Sequence, residues 1–171
     1  MAQINLLALD ASTRCTGYSQ FHVDFDAGTF SHVLTDSIKS SKKELYSRFE
    51  IIDKSLRSSS LYSWADTVVF ENYAFKGNRI AQLAELNGVL KYQFFLSDTD
   101  IEILAPNTIK KLVTGHGHAK KPVVALSLSE VDEFKHIEFK NEDESDSLAV
   151  GYAFILKTLQ EKELLENDNS K

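Results

Sequence analysis

Asp10 closes an apolar run, Leu6-Leu7-Ala8-Leu9, and Glu71 closes another, Val68-Val69-Phe70. One acid at the end of a strand pattern reads equally well as a turn or helix-capping residue. Two such strands in one sheet would bring their carboxylates within a few ångströms. Asp143 and Asp146 stand three residues apart, so they share a helix face. Val150 falls on the same face and turns it toward the sheet. Their neighbours Glu142 and Glu144 read as ordinary acids of a helix N-terminus, which the helix dipole favours. Four converging carboxylates repel one another, at about 4 kcal/mol for a pair 4 Å apart at an effective dielectric near 20. Divalent cations relieve that repulsion. Hard oxygen donors without clustered Cys or His suit Mg²⁺ or Mn²⁺ rather than zinc. An all-carboxylate site with open ligand positions suits phosphodiester hydrolysis, two ions holding the attacking water and the leaving oxygen in line.

The elements around these acids follow from periodicity. Residues 4–11, 17–23 and 29–38 read as three strands of an antiparallel meander, with a turn near Asp26-Ala27-Gly28. Residues 41–56 read as a helix with the stripe Leu45, Phe49, Ile52 and Leu56. Residues 67–71 form a β-branched buried strand. Residues 78–95 form a second amphipathic helix, striped by Ile80, Leu83, Leu86, Leu90 and Phe94. A short strand follows at 101–104. Short helices at 106–116 and 121–131 flank a Gly115-His116-Gly117 turn, with Pro122 in the first turn of the second. A long helix over 146–166 ends the pattern, leading into an acidic tail at about 163–171. Strands followed by alternating helices and strands predict an α/β fold, a mixed sheet with helices on its faces.

Composition sets the frame. The chain has 171 residues, 43% apolar and 26% charged, with no repeat and no Pro/Gly-rich linker. One domain over 1–171 is the simplest reading. A single cysteine, Cys15, excludes an internal disulfide framework and a thiolate zinc site, and reads as a small filler beside a strand end. No signal-peptide pattern and no apolar stretch near the ~20 residues of a membrane span occur, so a cytoplasmic protein is expected. The net charge of −6 argues against a nucleic-acid partner until it is divided. Residues 1–129 hold 14 Lys/Arg and 13 Asp/Glu, a sum of +1; residues 130–171 hold five Lys and 12 Asp/Glu, a sum of −7. Residues 105–125 carry four Lys and no acid, a local basic patch.

The motifs together resemble the RuvC-type Holliday junction resolvases. Asp10-Ala11-Ser12-Thr13-Arg14-Cys15-Thr16-Gly17-Tyr18 is similar to that family's first-strand signature. Glu71 takes the place of its second acid. Asp146-Ser147-Leu148-Ala149-Val150 resembles its Asp-Ala-Leu-Ala-Val helix start, with Asp143 three residues upstream. The segment NTIKKLVTGHGHAKK, residues 107–121, is similar to its basic helix, Gly-x-Gly turn and Ala-x-Lys. The resemblance covers residues 4–157. It implies an RNase H-like fold with a five-stranded mixed sheet. It implies a Mg²⁺-dependent endonuclease that nicks Holliday junctions or other branched DNA, with two ions per site and Mn²⁺ able to substitute. Asp10, Glu71, Asp143 and Asp146 would hold the metal, and Lys121 would stabilise charge developing on the phosphate. Lys110 and Lys121 match the family's lysines near the DNA backbone. A homodimer with two sites is implied as well.

Two departures stand out. The family's Pro-Gly after the first Asp is Ala11-Ser12 here. Its base-stacking aromatic falls at Ala74, between Tyr73 and Phe75, and either ring can take that part. Further DNA contacts are expected from Arg14, Lys76, Arg79, Lys111 and Lys120. His116 and His118 read as a solvated turn or as phosphate contacts rather than as metal ligands. Tyr92, Phe94 and Phe95 offer more apolar surface than one helix face needs, which points to a dimer interface. The compact chain and the divergent motifs suggest a phage or viral member. The alternatives are a ribonuclease for RNA/DNA hybrids and a junction-binding protein without catalysis. An actin-like phosphotransferase needs two lobes, and the chain is too short for them.

Overall fold

The computed structural model describes residues 3–72 and 80–168. Strands β1 (Ile4–Asp10), β2 (Cys15–Asp24) and β3 (Thr29–Lys39) form the expected antiparallel meander. β4 (Thr67–Glu71) lies parallel to β1, and β5 (Asp100–Leu104) parallel to β4. The order is β3-β2-β1-β4-β5, the five-stranded mixed sheet that the resemblance implies.

β1 and β4 run through the middle of the sheet, which explains their continuous apolar sequence. Successive side chains point to opposite faces. Leu6, Ala8 and Val69 enter one core layer; Leu7, Leu9, Val68 and Phe70 enter the other. Helices α1 (Leu45–Ser58), α2 (Leu61–Trp64) and α3 (Ile80–Leu96) cover the second layer with Phe49, Ile52, Leu56, Leu61, Leu86, Leu90 and Phe94. Helices α4 (Pro106–Thr114), α5 (Lys121–Ser129) and α6 (Glu142–Asp168) cover the first, with a 3₁₀ turn at Asp132–Phe134. No described helix is long and apolar enough to cross a membrane.

The differences from the sequence reading lie at element ends. Helix α1 begins at Leu45 rather than residue 41. The short α2 and the 3₁₀ turn carry too few residues to show a period. The predicted start of α3 at residue 78 lies outside the described residues. Helix α6 begins at Glu142, four residues before the predicted start, because the Asn141 Oδ1 accepts the Glu144 N–H at 3.1 Å and caps an earlier turn. The same helix runs on to Asp168, so most of the expected acidic tail is helical. Phe94, the last residue of the α3 stripe, is fully buried, whereas Tyr92 and Phe95 are exposed.

Two glycines let α6 lie close on the sheet. A Cβ on Gly151 would stand 2.2 Å from the Phe21 ring, and one on Gly17 would stand 1.9 Å from the Asp143 carbonyl oxygen. Gly17 pairs with Asp10 in the register of β1 and β2. The first turn of α6 is thereby seated beside the end of β1.

Candidate active site

β1 and β4 are parallel, with Leu9 paired to Phe70, so the next residues, Asp10 and Glu71, leave the sheet together at its carboxyl edge. That edge is where open α/β sheets place ligands. The two carboxyls are close enough for the Glu71 charge to act on Asp10. Asp146 reaches the same place from the second turn of α6. These three acids share a recess of about 220 Å³ with Lys110 of α4 and Lys121 of α5. Pro106, Ile109, Val124, Ala149 and Val150 make its apolar walls.

The recess is electrostatically unbalanced. Burial, then the charges of Glu71, Asp146 and Asp143, push the Asp10 carboxyl up to about 8. Burial also raises Glu71, reinforced by Asp146 and opposed by Lys121 and Lys110. Asp146 is raised chiefly by burial, against the pull of Lys121. Lys121 donates from Nζ to Asp146 Oδ2 at 2.6 Å and to Glu142 Oε2 at 3.2 Å. Burial works against its charge, but those two acids outweigh it and lift its pKa above the usual lysine value.

Asp143 takes a different position from the other three acids. It does not line the recess, yet its charge still acts on Asp10. It lies beside the Cys15 thiol, which burial and this carboxylate push up to about 11. Cys15 is half-buried at the start of β2, paired with Lys39 of β3. Glu144, read as an ordinary acid of a helix N-terminus, is 1% exposed. Ser37 Oγ, Asn141 Nδ2 and the Lys140 N–H all donate to its carboxylate. Glu142 is exposed, as read, but pairs with Lys121. Nothing in the acid-rich run 142–146 distinguishes these roles by residue type alone.

Of the expected DNA contacts, Lys110 and Lys121 meet at the recess. Lys111 and His118 lie on the other flank of α4, in a groove that also includes Lys157, a residue the sequence did not single out. Lys120 is exposed at the start of α5, and His116 is exposed in the turn before it. Arg14 is exposed between β1 and β2, its carbonyl oxygen accepting the Ser40 N–H at 2.8 Å. Tyr73, Phe75, Lys76 and Arg79 lie outside the described residues.

The family described as "Crossover junction endodeoxyribonuclease RuvC" matches residues 6–154, most of the chain. The chain belongs to the RuvC family. The RuvC of Sulfurovum sp. is 27% identical over 163 residues, covering 93% of this chain and 99% of its own. That of Wolinella succinogenes is 29% identical over 151 residues, covering 86% and 91%. Among solved structures, T. thermophilus RuvC in complex with Holliday junction substrate superposes with a TM-score of 0.77 at 19% identity, covering 92% of this chain and 96% of that one. The fowlpox virus resolvase with its Holliday junction DNA gives 0.63 at 15% identity, covering 90% and 98%. These structural likenesses carry the RNase H-like fold.

The donors around Asp10 fit a hard divalent cation by type, being carboxylate oxygens crowded without enough counter-charge. They are not closed into a cage. Among the described residues no three Asp, Glu, His or Cys side chains gather tightly enough to hold an ion, and Asp146 is engaged by Lys121. A divalent cation would have to displace the Lys121 ammonium to use the Asp146 carboxylate.

Proposed function

We propose that this RuvC-family chain nicks Holliday junctions or other branched DNA by hydrolysing one phosphodiester, with Asp10 at the centre of the site. The observation that carries this reading is the convergence of Asp10, Glu71 and Asp146 in one recess walled by Lys110 and Lys121. Asp10, Glu71 and Asp146 would hold the metal, with Asp143 completing the set from the first turn of α6. When bound, two Mg²⁺ ions, or Mn²⁺ in their place, neutralise the phosphate and align the attacking water with the leaving oxygen. The water oxygen bonds to phosphorus as the ester oxygen departs with its electron pair and gains a proton. Lys121, released from Asp146, donates to the phosphate oxygen on which charge develops. Lys110, Lys111, Lys120 and Arg14 hold the backbone on either side, assisted by His116 and His118. Tyr73 or Phe75 stacks on a base at the branch, and Lys76 and Arg79 add backbone contacts.

We read residues 1–171 as one nuclease domain that works as a homodimer. The outer face of α3 supports the dimer: Tyr92 is 58% and Phe95 69% exposed, next to exposed Val89 and Leu96. The test is Asp146→Asn. It is expected to bind a four-way junction but to leave it uncut in Mg²⁺, on a gel that runs a fork, a linear duplex and an RNA/DNA hybrid alongside. Undiminished nicking by this variant would sink the assignment. Cleavage of the hybrid alone would replace the substrate with RNA.

A further inference from the structure

One row of the sheet runs Ser37–Gly17–Asp10 across β3, β2 and β1. The first turn of α6 is tied to this row at two points. The Asp143 carbonyl oxygen occupies the space that a side chain on Gly17 would need. Glu144 reaches Ser37: its Oε1 accepts from Ser37 Oγ at 2.9 Å and from Asn141 Nδ2 at 3.2 Å. Its Oε2 accepts the Lys140 N–H at 2.8 Å. The cluster closes on itself, since Asn141 Nδ2 also donates to Ser37 Oγ at 2.8 Å and Asn141 Oδ1 accepts the Glu144 N–H.

A buried carboxylate is costly unless donors satisfy it. A helix N-terminus at the surface needs no such group, because water serves it. Here a buried acid is kept, within a run of acids, and joined to a neighbouring strand. The helical turn explains what that achieves. Glu144 and Asp146 are two residues apart, so they leave α6 on nearly opposite sides. Fixing Glu144 toward β3 turns Asp146 toward β1 and β4, where Asp10 and Glu71 stand.

We propose that Ser37, Asn141 and Glu144 form a positioning cluster that sets the rotation and height of the first turn of α6, and so the placing of Asp143 and Asp146 against Asp10. This rests on the functional reading above. None of the three touches the substrate; they act through the acids of α6.

The experiment uses the full chain with Ser37→Ala, Ser37→Thr and Glu144→Ala. Thermal melting in EDTA reports folding, and junction binding in EDTA reports the DNA surface. Mn²⁺ titration followed by electron paramagnetic resonance reports the metal site without turnover. Ser37→Ala is expected to fold and to bind the junction as the parent does. It should bind Mn²⁺ less tightly and lose about tenfold or more in kcat with KM unchanged, the signature of misplacement by a fraction of an ångström. Ser37→Thr keeps the hydroxyl and should restore both. Parental Mn²⁺ binding and kcat in Ser37→Ala would overturn the proposal. So would losses in Ser37→Ala that Ser37→Thr leaves in place. If Glu144→Ala does not fold, the Ser37 pair still decides. A parent chain that nicks no branched DNA would refute the functional reading, whereas the Mn²⁺ titration would still judge the cluster.

Discussion

Without a divalent ion, Asp10 shares the recess with Glu71 and Asp146, and among the described residues Lys121 and Lys110 offset them. Asp10→Asn removes, at almost no change of volume, a carboxyl that the fold must hold protonated near neutral pH, its pKa standing at about 8 against an ordinary 3.8. In EDTA near neutral pH it should therefore melt above the parent, by about 2–4 °C for each kcal/mol gained. Saturating Mg²⁺ should abolish or reverse the difference, because the ion stabilises the parent by binding its folded state. Equal melting temperatures in EDTA would mean that the acids are already balanced. Asp10 and Glu71 were legible in the sequence because each interrupts an apolar run. Glu144 was not. In Asn141-Glu142-Asp143-Glu144-Ser145-Asp146 all four acids look alike, and only the position of Ser37, more than a hundred residues away, selects the one that is buried.

At the scale of elements, the strands and the face of each long helix followed from period, while the helix ends did not. The start of α6 depends on one side chain, Asn141, which caps a turn ahead of the predicted start at Asp146. The packing of β3 against the 3₁₀ turn was equally hidden, since it joins His32 to Phe134 and His136. Burial, then the neighbouring His136, hold His32 down to about 4, and its Nε2 lies 2.8 Å from Thr35 Oγ1. The folded state thus keeps His32 neutral where the unfolded chain, near 6.5, takes up a proton. The unfolded state binds more protons between those values, so stability rises with pH across the window and is lost as pH falls from about 6.5 toward 4. His32→Asn should flatten that part of the melting-temperature profile relative to the parent. A parallel profile would show that other groups set the acid limit.

At the scale of the molecule, the charge of −6 must be reconciled with a phosphate partner. Helix α6 does this by its length. Its first two turns carry Asp143 and Asp146, and its acidic end carries Glu161 and Glu163, 15 and 17 residues beyond Asp146. At 1.5 Å per residue that is roughly 22–26 Å along the axis. The screening length is about 8 Å at physiological salt and about 30 Å at 0.01 M. The acidic end is therefore invisible to DNA at the recess in ordinary salt, and felt only when salt is low. Glu161→Gln with Glu163→Gln should leave junction affinity unchanged near 0.15 M salt and strengthen it near 0.01 M. Lys111→Ala tests the proposed local phosphate contact instead. It should weaken binding at both concentrations and lower the slope of log affinity against log salt by about one. Fluorescence anisotropy with a labelled junction in EDTA measures both series. If the two Glu variants strengthened binding equally at both salts, the acidic end of α6 would have to lie against the DNA, contrary to the length of the helix.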